Sequence, residues 1–343
     1  MKSRNTIMMG LLLSVFWLTV GCSTIDDDLS GCNEAKQFQT DYQLKLVTNM
    51  TTELKTQLTT MTELSVANAL QTHLKDIFTD YAHDVDLSFY DTDSERERLK
   101  HDTPIMNANQ KSYTLTLPMR QYLHLAVANI AENAVVGLTG DEYSNTSTLR
   151  QSAPTVTDGS TVGILPSHTT GLFTARQPME VLEGVDQTFN VHLYMANSAT
   201  TLILDPKNIS YTDIKVYATG FATSFLISDS TYVYPETSPL VKAEKVETGN
   251  NLLCFTTVNF PSKDGTRAGA TDPTLWQFKV YITKPDGKVT ETVLDIKEPL
   301  KAGDLKIIKG DLDDDAAVRP YNSTVGVSVT LDWNSGGDYE WEM

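Results

Sequence analysis

Apolar and polar residues alternate along most of the chain, and this period of two is typical of β-strands. The clearest strand is the last, in which five apolar residues at alternate positions share one face. They are Val325, Val327, Val329, Leu331 and Trp333. We expect this strand to bury that face. The pattern predicts further strands within residues 42–46, 85–89, 113–117, 122–127, 189–195, 202–204, 214–216, 225–227, 252–255, 278–282, 293–296 and 305–308.

One segment follows a helical period instead. Its apolar residues recur mostly three or four positions apart, at Leu64, Val66, Leu70, Leu74, Ile77 and Phe78. Thr60 and Glu63 precede it at the spacing of a capping box, in which each side chain bonds the other residue's backbone N–H. We expect a helix that starts near Thr60 and lies on a sheet, with its aliphatic stripe in the core.

The order of these elements predicts a mostly β fold built from β-sandwich domains, because strand runs are separated by turn signals. Segments 113–117 and 122–127 lie close enough to form a hairpin, whereas residues 141–167 are rich in Ser, Thr and Gly and indicate long loops. A second set of strands starts near residue 172, and within it Lys284-Pro285-Asp286-Gly287 is a turn sequence between two strands. We therefore expect an N-terminal sandwich over residues 37–171 and a C-terminal sandwich over 172–343, with one or more short helices.

The start of the chain has the pattern of an export signal. Two basic residues, Lys2 and Arg4, are followed by an uncharged, mostly apolar run over residues 7–20. A membrane-spanning helix needs about 20 apolar residues, so this run is too short to be one. Residues 1–21 therefore indicate a secretory signal peptide that is removed from the mature protein.

The signal ends in Gly21-Cys22, a small residue followed by cysteine, as in bacterial lipoprotein processing sites. Thr19 occupies the position where Leu is usual in such sites. We predict cleavage after Gly21 and acylation of Cys22, with an ordinary cleaved signal as the alternative. Because acyl chains gain about 0.8 kcal/mol per buried CH₂, a multiply acylated Cys22 would remain in a membrane.

The mature chain is strongly acidic. Removal of the two basic residues of the signal takes the formal net charge from -17 to -19. We expect no nucleic acid partner, because phosphate binding needs a basic face. Three of the carboxylates, Asp26, Asp27 and Asp28, predict a solvated acidic leash over residues 22–36. This cluster also resembles the acidic tag of Bacteroidetes lipoproteins that are exported to the outer face of the cell.

The cysteine content does not indicate a disulfide scaffold. Besides Cys22, the chain contains Cys32 in the predicted leash and Cys254 in an apolar run. A disulfide between them is possible in an exported protein, but we expect both thiols to remain unpaired. The fold must then be held by the packing of its sheets.

The sequence indicates no catalytic, metal or cofactor site. The six His residues are scattered and none has a zinc-site spacing, and there is no nucleophile elbow or phosphate-binding loop. Four Asp residues near position 313 lack the EF-hand spacing, so they indicate an exposed acidic loop. A carboxylate pair for glycoside hydrolysis remains open, because its separation is spatial. Trp276, Trp333 and Trp341 could stack on sugars but are more often core or edge residues. We expect no enzymatic activity.

Several segments resemble one known family, the minor-fimbrium anchoring subunits of Bacteroidetes, which are lipoproteins at the base of fimbriae. The resemblance is carried by DDDLSGC at residues 26–32, DYQL at 41–44, NM at 49–50, GLF at 171–173, VSVTLDW at 327–333 and GG at 336–337. The resemblance implies two transthyretin-like β-sandwich domains, a stalk fimbrillin as partner and no enzymatic activity. One functional position carries over, the lipid-bearing Cys22.

Two other functions remain open. A surface glycan-binding lipoprotein would need an aromatic platform for sugars. A stalk or tip fimbrillin would have a related fold, but stalk subunits of this kind are activated by arginine-directed cleavage, and no arginine lies between Cys22 and Arg96. We therefore expect an anchor at the outer membrane that limits fimbrial length. Its last strand pairs in its own sheet or, less favourably, is donated to the stalk.

Overall fold

The computed structural model describes residues 38–47, 57–77, 79, 82–92, 98–102, 114–140, 147–154, 163–183, 187–265 and 274–333. Within these residues the protein has 22 strands and one helix. This composition confirms the predicted mostly β fold with sandwich-like packing of sheets. The likeness to transthyretin stays a prediction.

The elements follow one another in this order: β1 (Phe38–Val47), α1 (Met61–His73), β2 (Val85–Asp91), β3 (Arg98–Asp102), β4 (Thr114–Leu117), β5 (Gln121–Ala128), β6 (Val136–Gly140), β7 (Ser147–Gln151), β8 (Ile164–Leu165), β9 (Phe173–Glu180), β10 (Gln187–Met195), β11 (Ser198–Asp205), β12 (Asp213–Thr219), β13 (Ser224–Leu226), β14 (Thr231–Val233), β15 (Leu240–Lys242), β16 (Glu244–Val246), β17 (Leu253–Asn259), β18 (Trp276–Thr283), β19 (Val289–Ile296), β20 (Leu305–Leu312), β21 (Val318–Pro320) and β22 (Gly326–Trp333).

A seven-stranded sheet has the order β3-β2-β5-β9-β10-β1-β4. Its strands come from both sides of residue 172. β9 pairs antiparallel with β5, and β10 pairs parallel with β1. The domain boundary near residue 172 stays a prediction, but the hydrogen bonding of this sheet crosses it.

Helix α1 packs against this sheet through a narrow apolar stripe. Val66 and Leu70 are fully buried, whereas Leu64, which the sequence places on the same stripe, is 46% exposed. The predicted capping box is confirmed, since the Glu63 N–H donates to Thr60 Oγ1 at 3.3 Å and the Thr60 N–H donates to Glu63 Oε2 at 2.9 Å. These reciprocal bonds satisfy two backbone donors that the first turn would otherwise leave unpaired.

A five-stranded sheet of order β16-β17-β11-β20-β21 lies between two cores. On its central strand β11, Ala199 and Ile203 pack into the core that contains α1, whereas Leu202 and Leu204 pack into a second core. Successive side chains of a strand point to opposite faces, so a strand between two cores is buried on both. The two parts of the chain therefore share this layer.

A six-stranded sheet of order β22-β19-β18-β12-β15-β8 covers the second core. The turn between β18 and β19 contains the predicted sequence Lys284-Pro285-Asp286-Gly287, and the two strands pair antiparallel. Gly287 adopts φ +84° and its N–H donates to the carbonyl of Lys284 at 2.9 Å. Glycine tolerates this positive φ without steric cost, which is why the turn is readable from sequence.

Two local predictions are wrong. Strands β4 and β5 do not form a hairpin, because β4 pairs with β1 while β5 pairs with β2 and β9. The segment 141–167 is not entirely loop, since it contains β7 and β8. Strands β6, β7, β13 and β14 form a four-stranded sheet over the outer face of β5. Because β2 and β9 occupy the two hydrogen-bonding edges of β5, no edge is left for β4.

Candidate anchoring and assembly site

The predicted anchoring residues lie outside the described residues. Gly21, Cys22 and the leash over residues 22–36 belong to this part of the chain, so cleavage and acylation stay predictions. The first described element after them is β1. Among the described residues, no helix is long and apolar enough to cross a membrane.

Strand β1 is hydrogen-bonded along both edges. It pairs parallel with β10 from Thr40 to Val47 and antiparallel with β4 from Phe38 to Asp41. A pull on the chain before Phe38 acts along the strand, while the ladder bonds run across it, so many bonds carry the load together. This geometry retains β1 firmly in the sheet.

A set of side-chain bonds, here called the clamp, joins the start of α1 to β20. The Gln57 side-chain amide donates to the carbonyl of Leu305 at 2.7 Å and accepts from the N–H of Ile307 at 2.9 Å, like a peptide group of a neighbouring strand. Lys309 Nζ donates to Glu63 Oε1 at 2.6 Å and to the Gln57 carbonyl at 3.1 Å. The bond from Lys309 lowers the pKa of Glu63 to about 2.

The clamp has no signal in the sequence. Gln57 and Leu305 lie 248 residues apart, and neither belongs to a recognisable motif. A lone Gln before a helix reads as a solvated residue. The clamp was therefore missed, and only the packing of α1 against the five-stranded sheet makes its residues neighbours.

Strand β22 forms the edge of its sheet among the described strands and pairs antiparallel with β19. The prediction that it buries its apolar face is wrong for three residues, because Val327, Val329 and Leu331 are 44%, 41% and 46% exposed. Val327 pairs with Leu294, which is fully buried. Residues that pair directly point to the same face. The apolar face of β22 therefore lies on the core side of the sheet, but the layer that covers the core does not extend over it.

Two histidines, His124 and His168, are core residues. The His124 ring stacks on Phe89 with centroids 4.3 Å apart, and the His168 ring meets the edge of Phe260 at 4.9 Å. Burial lowers the pKa of His124 to about 4 and that of His168 to about 3. Because both rings are fully enclosed and neutral near pH 7, they support packing and offer no general base to a substrate.

The acidic loop after β20 is a structural turn. Asp313 Oδ1 accepts from the backbone N–H groups of Asp315 at 3.0 Å and Ala317 at 2.9 Å, and its Oδ2 accepts from Arg319 at 3.1 Å. Asp311 pairs with Lys207 at 2.5 Å. Within the described ranges, no group of three or more His, Cys, Asp or Glu residues is arranged to hold a metal ion.

The aromatic and thiol candidates are also internal. Trp276 is 1% exposed and its Nε1 donates to the carbonyl of Glu298 at 3.0 Å, so it cannot stack on a sugar at the surface. Cys254 is a buried free thiol, and burial raises its pKa to about 12. Cys32, Trp341 and the side chain of Trp333 lie outside the described residues.

Comparison with known proteins identifies a family. The family of fimbrillin-A associated anchor proteins Mfa1 and Mfa2 matches residues 48–335. A search among proteins of curated function found no match. Among solved structures, a candidate adhesin from Bacteroides thetaiotaomicron VPI-5482 aligns with a TM-score of 0.51 and 9% identity, over 88% of this chain and 100% of that one. The fimbrial anchor protein Mfa2 from Porphyromonas gingivalis aligns with a TM-score of 0.44 and 12% identity, over 87% and 100%.

The family match spans most of the chain and includes the strands described above from β2 to β22. The match supports the role of a fimbrial anchor at the cell surface, in association with other fimbrial subunits, and not that of an enzyme. The resemblance noted in the sequence is thereby confirmed. The chain belongs to the family of fimbrillin-A associated anchor proteins Mfa1 and Mfa2.

Proposed function

We propose that this protein is the lipid-anchored subunit that attaches a fimbrium to the outer membrane and limits its length. The observation that carries the proposal is the position of β1, which follows the predicted leash and is paired along both edges. A fibre of non-covalently joined subunits needs one member that stays in the membrane. An acylated Cys22 in front of a firmly held strand meets that need.

Retention of β1 would also end growth, because a subunit that keeps its first strand presents no empty groove to another subunit. A stalk subunit can lose its first strand, because a strand donated by its neighbour fills the groove by β-augmentation. Here the loss of β1 would separate the protein from the lipid on Cys22. N-terminal analysis of the protein from assembled fibres should therefore find β1 still attached. A mature chain that begins after residue 48 would contradict the proposal.

The exposed face of β22 is the surface that we assign to the stalk subunit. Three apolar side chains beside an outer strand edge suit an added strand from a partner. Leu331→Glu should fold normally, because the side chain is already exposed, but should weaken attachment of fimbriae. Val233→Glu is the matched control, since Val233 is 43% exposed on β14 in another sheet. Equal attachment in both variants would remove β22 from the interface.

The lipid is tested by fractionation and mass. We expect Cys22→Ala to move the protein from the membrane fraction to the soluble fraction, whereas Cys32→Ala should leave it in the membrane. Intact-mass analysis of the wild type should show acyl chains on residue 22. An unmodified mature N-terminus at any other residue would contradict this part of the proposal.

A deletion strain tests the function itself. We expect its fimbriae to appear in the medium, because nothing retains them, and to be longer, because nothing ends elongation. Complementation with Cys22→Ala should separate the two effects by restoring length but not attachment. Electron microscopy and immunoblots of cells and medium measure both. Fimbriae of normal length that remain attached to the deletion strain would refute the proposal and favour a glycan-binding lipoprotein.

A further inference from the structure

Strands β9 and β10 are neighbours in the seven-stranded sheet but barely pair. Their register contains two pairs, Thr174 with Tyr194 and Phe173 with Met195. Away from these pairs the strands diverge, although each remains fully paired with its other neighbour. At the far end the Gln187 side chain accepts from the N–H of Leu182 at 2.8 Å and donates to the carbonyl of Glu180 at 3.1 Å. The sheet therefore contains a gap that is closed at both ends.

A cleft of about 630 Å³ lies over this gap, beside residues 174–177 of β9 and 190–195 of β10. Its floor is formed by residues of β9 and β10, which include the outward-facing Arg176, Asn190, His192 and Tyr194, and its wall by residues of the four-stranded sheet. This volume lies within the range of about 300–1,000 Å³ that is typical of small-molecule sites. None of the residues that line the cleft belongs to β1 or β22, so its ligand binding does not depend on the anchoring proposal.

The polar floor has an unusual charge for this protein. Although the chain has a formal net charge of -17, none of the described residues that line the cleft is Asp or Glu. Arg176 lies in it, and its Nε donates to the carbonyl of Ser228. Within the described part of the chain Arg176 has no carboxylate partner, whereas Arg120 pairs with Asp91 at 2.5 Å. Its two terminal nitrogens are therefore held in place and available to an acidic ligand.

Further hydrogen-bonding side chains line the cleft with Arg176. Asn190 and His192 of β10 line the cleft on the same face as Arg176, and their side chains make no hydrogen bond or ion pair to another described residue. Gln177 also lines the cleft but projects from the opposite, core-facing side of β9, where it pairs with His124. Asn190, His192 and Tyr194 alternate along β10 and therefore project from the same face. The floor thus offers amide and imidazole groups beside a fixed positive charge.

The opposite wall is aromatic. Phe225 and Tyr232 stack with centroids 4.4 Å apart, and Tyr232 Oη donates to the carbonyl of Ala196 at 2.6 Å, which fixes that ring. Tyr194, at the rim, is 58% exposed. Rigid aromatic rings provide contact area for the C–H face of a sugar at little cost in conformational entropy.

We propose that this cleft binds a carboxylated saccharide. The guanidinium of Arg176 would take the carboxylate, because its planar pair of N–H donors matches that group. The side chains of Asn190 and His192 would bond hydroxyl groups, and Tyr194 would cover the apolar face of the ring. A neutral sugar would leave Arg176 without its partner, so the site discriminates for the acidic ligand.

Calorimetry of the full-length protein in detergent tests this with oligogalacturonate as the acidic probe and a neutral galacto-oligosaccharide of equal length as its counterpart. We expect the acidic probe to bind and the neutral one not to bind. Salt should weaken the binding, because screening acts on an exposed charge pair. Arg176→Gln should weaken it at least about tenfold, since a charge-assisted bidentate contact is lost. Tyr194→Ala should also weaken it. Arg150→Gln is the matched control, because Arg150 is exposed on β7 and does not line the cleft.

Thermal melts of each variant show whether it folds. If Arg176→Gln does not fold, Tyr194→Ala still tests the site, because Tyr194 is exposed and its replacement should not disturb the fold. Equal binding of the neutral sugar, or unchanged affinity in both cleft variants, would overturn the proposal. Hexaglutamate serves as a competitor probe. If it binds at this site and oligogalacturonate does not, the ligand is an acidic peptide and the saccharide proposal is wrong.

Discussion

The substitution Lys309→Met tests the clamp between α1 and β20. It removes the ammonium group that donates to Glu63 and to the Gln57 carbonyl, while most of the aliphatic stem is kept. The side chains of Glu63 and Lys309 are 15% and 33% exposed, so the pair is partly shielded from water. We expect the variant to fold but to be less stable, because two charge-assisted bonds are lost.

The magnitude follows from the pKa of Glu63. The bond from Lys309 is the largest cause that lowers it from 4.5 to about 2. At 1.36 kcal/mol per pKa unit, this difference corresponds to roughly 3 kcal/mol. Other bonds to Thr60 contribute to it and solvent screens a pair near the surface, so we expect Lys309→Met to cost about 1–2 kcal/mol at pH 7.

The cost must depend on pH. A carboxyl group with a depressed pKa in the folded state contributes stability that is fully present above its unfolded pKa, 4.5, and is lost as pH falls towards about 2. The difference between wild type and Lys309→Met should therefore shrink between pH 5 and pH 3. Urea unfolding at pH 7, 5 and 3 measures it.

Lys245→Met is the matched control for this series. Lys245 pairs with Glu247 at 2.9 Å, but the two side chains are 53% and 83% exposed. We expect a cost below about 0.5 kcal/mol, with little change across the pH series. Equal costs for the two variants, or a cost of Lys309→Met that does not fall at low pH, would refute the reasoning about the clamp.

Three further tests address the core. Arg120→Met should cost about 2–3 kcal/mol in urea unfolding, because it removes the guanidinium that pairs with the carboxylate of Asp91, whose side chain is 0% exposed. Burial lowers the pKa of His168 from 6.5 to about 3, so between pH 7 and pH 5 only the unfolded state takes up a proton there. This should lower the free energy of unfolding by about 2 kcal/mol over that range, and His168→Gln should make its dependence on pH less steep. Gly220→Ala should lower the melting temperature more than Gly249→Ala, because both have positive φ but only at Gly220 would the new Cβ lie 2.7 Å from a backbone oxygen.

Contradictory outcomes are distinct for each test. An unchanged midpoint in Arg120→Met would mean that other donors fully satisfy Asp91. A wild-type slope in His168→Gln would place the pH dependence on other groups. Equal melting temperatures for the two glycine variants would mean that the backbone around Gly220 can move aside.

The sequence by itself determined the features that arise within a few residues. The alternation of apolar and polar residues gave the mostly β fold, since side chains of a strand alternate between its faces. The capping box of Thr60 and Glu63 and the turn ending at Gly287 were read correctly because their bonds span three residues. Cys22 and Gly21 remain predictions of the same local kind.

Tertiary structure decided which strands became neighbours and which faces were covered. Alternation in β22 marks an apolar face but not whether another layer lies over it, and Val327, Val329 and Leu331 lie beyond that layer. The parting of β9 from β10 and the bonds from Gln57 to β20 likewise join residues that are distant in the chain. Strand pairing depends on packing against neighbours more than on intrinsic preference. The surfaces proposed for the partner and the saccharide therefore appear only when the sheets are assembled.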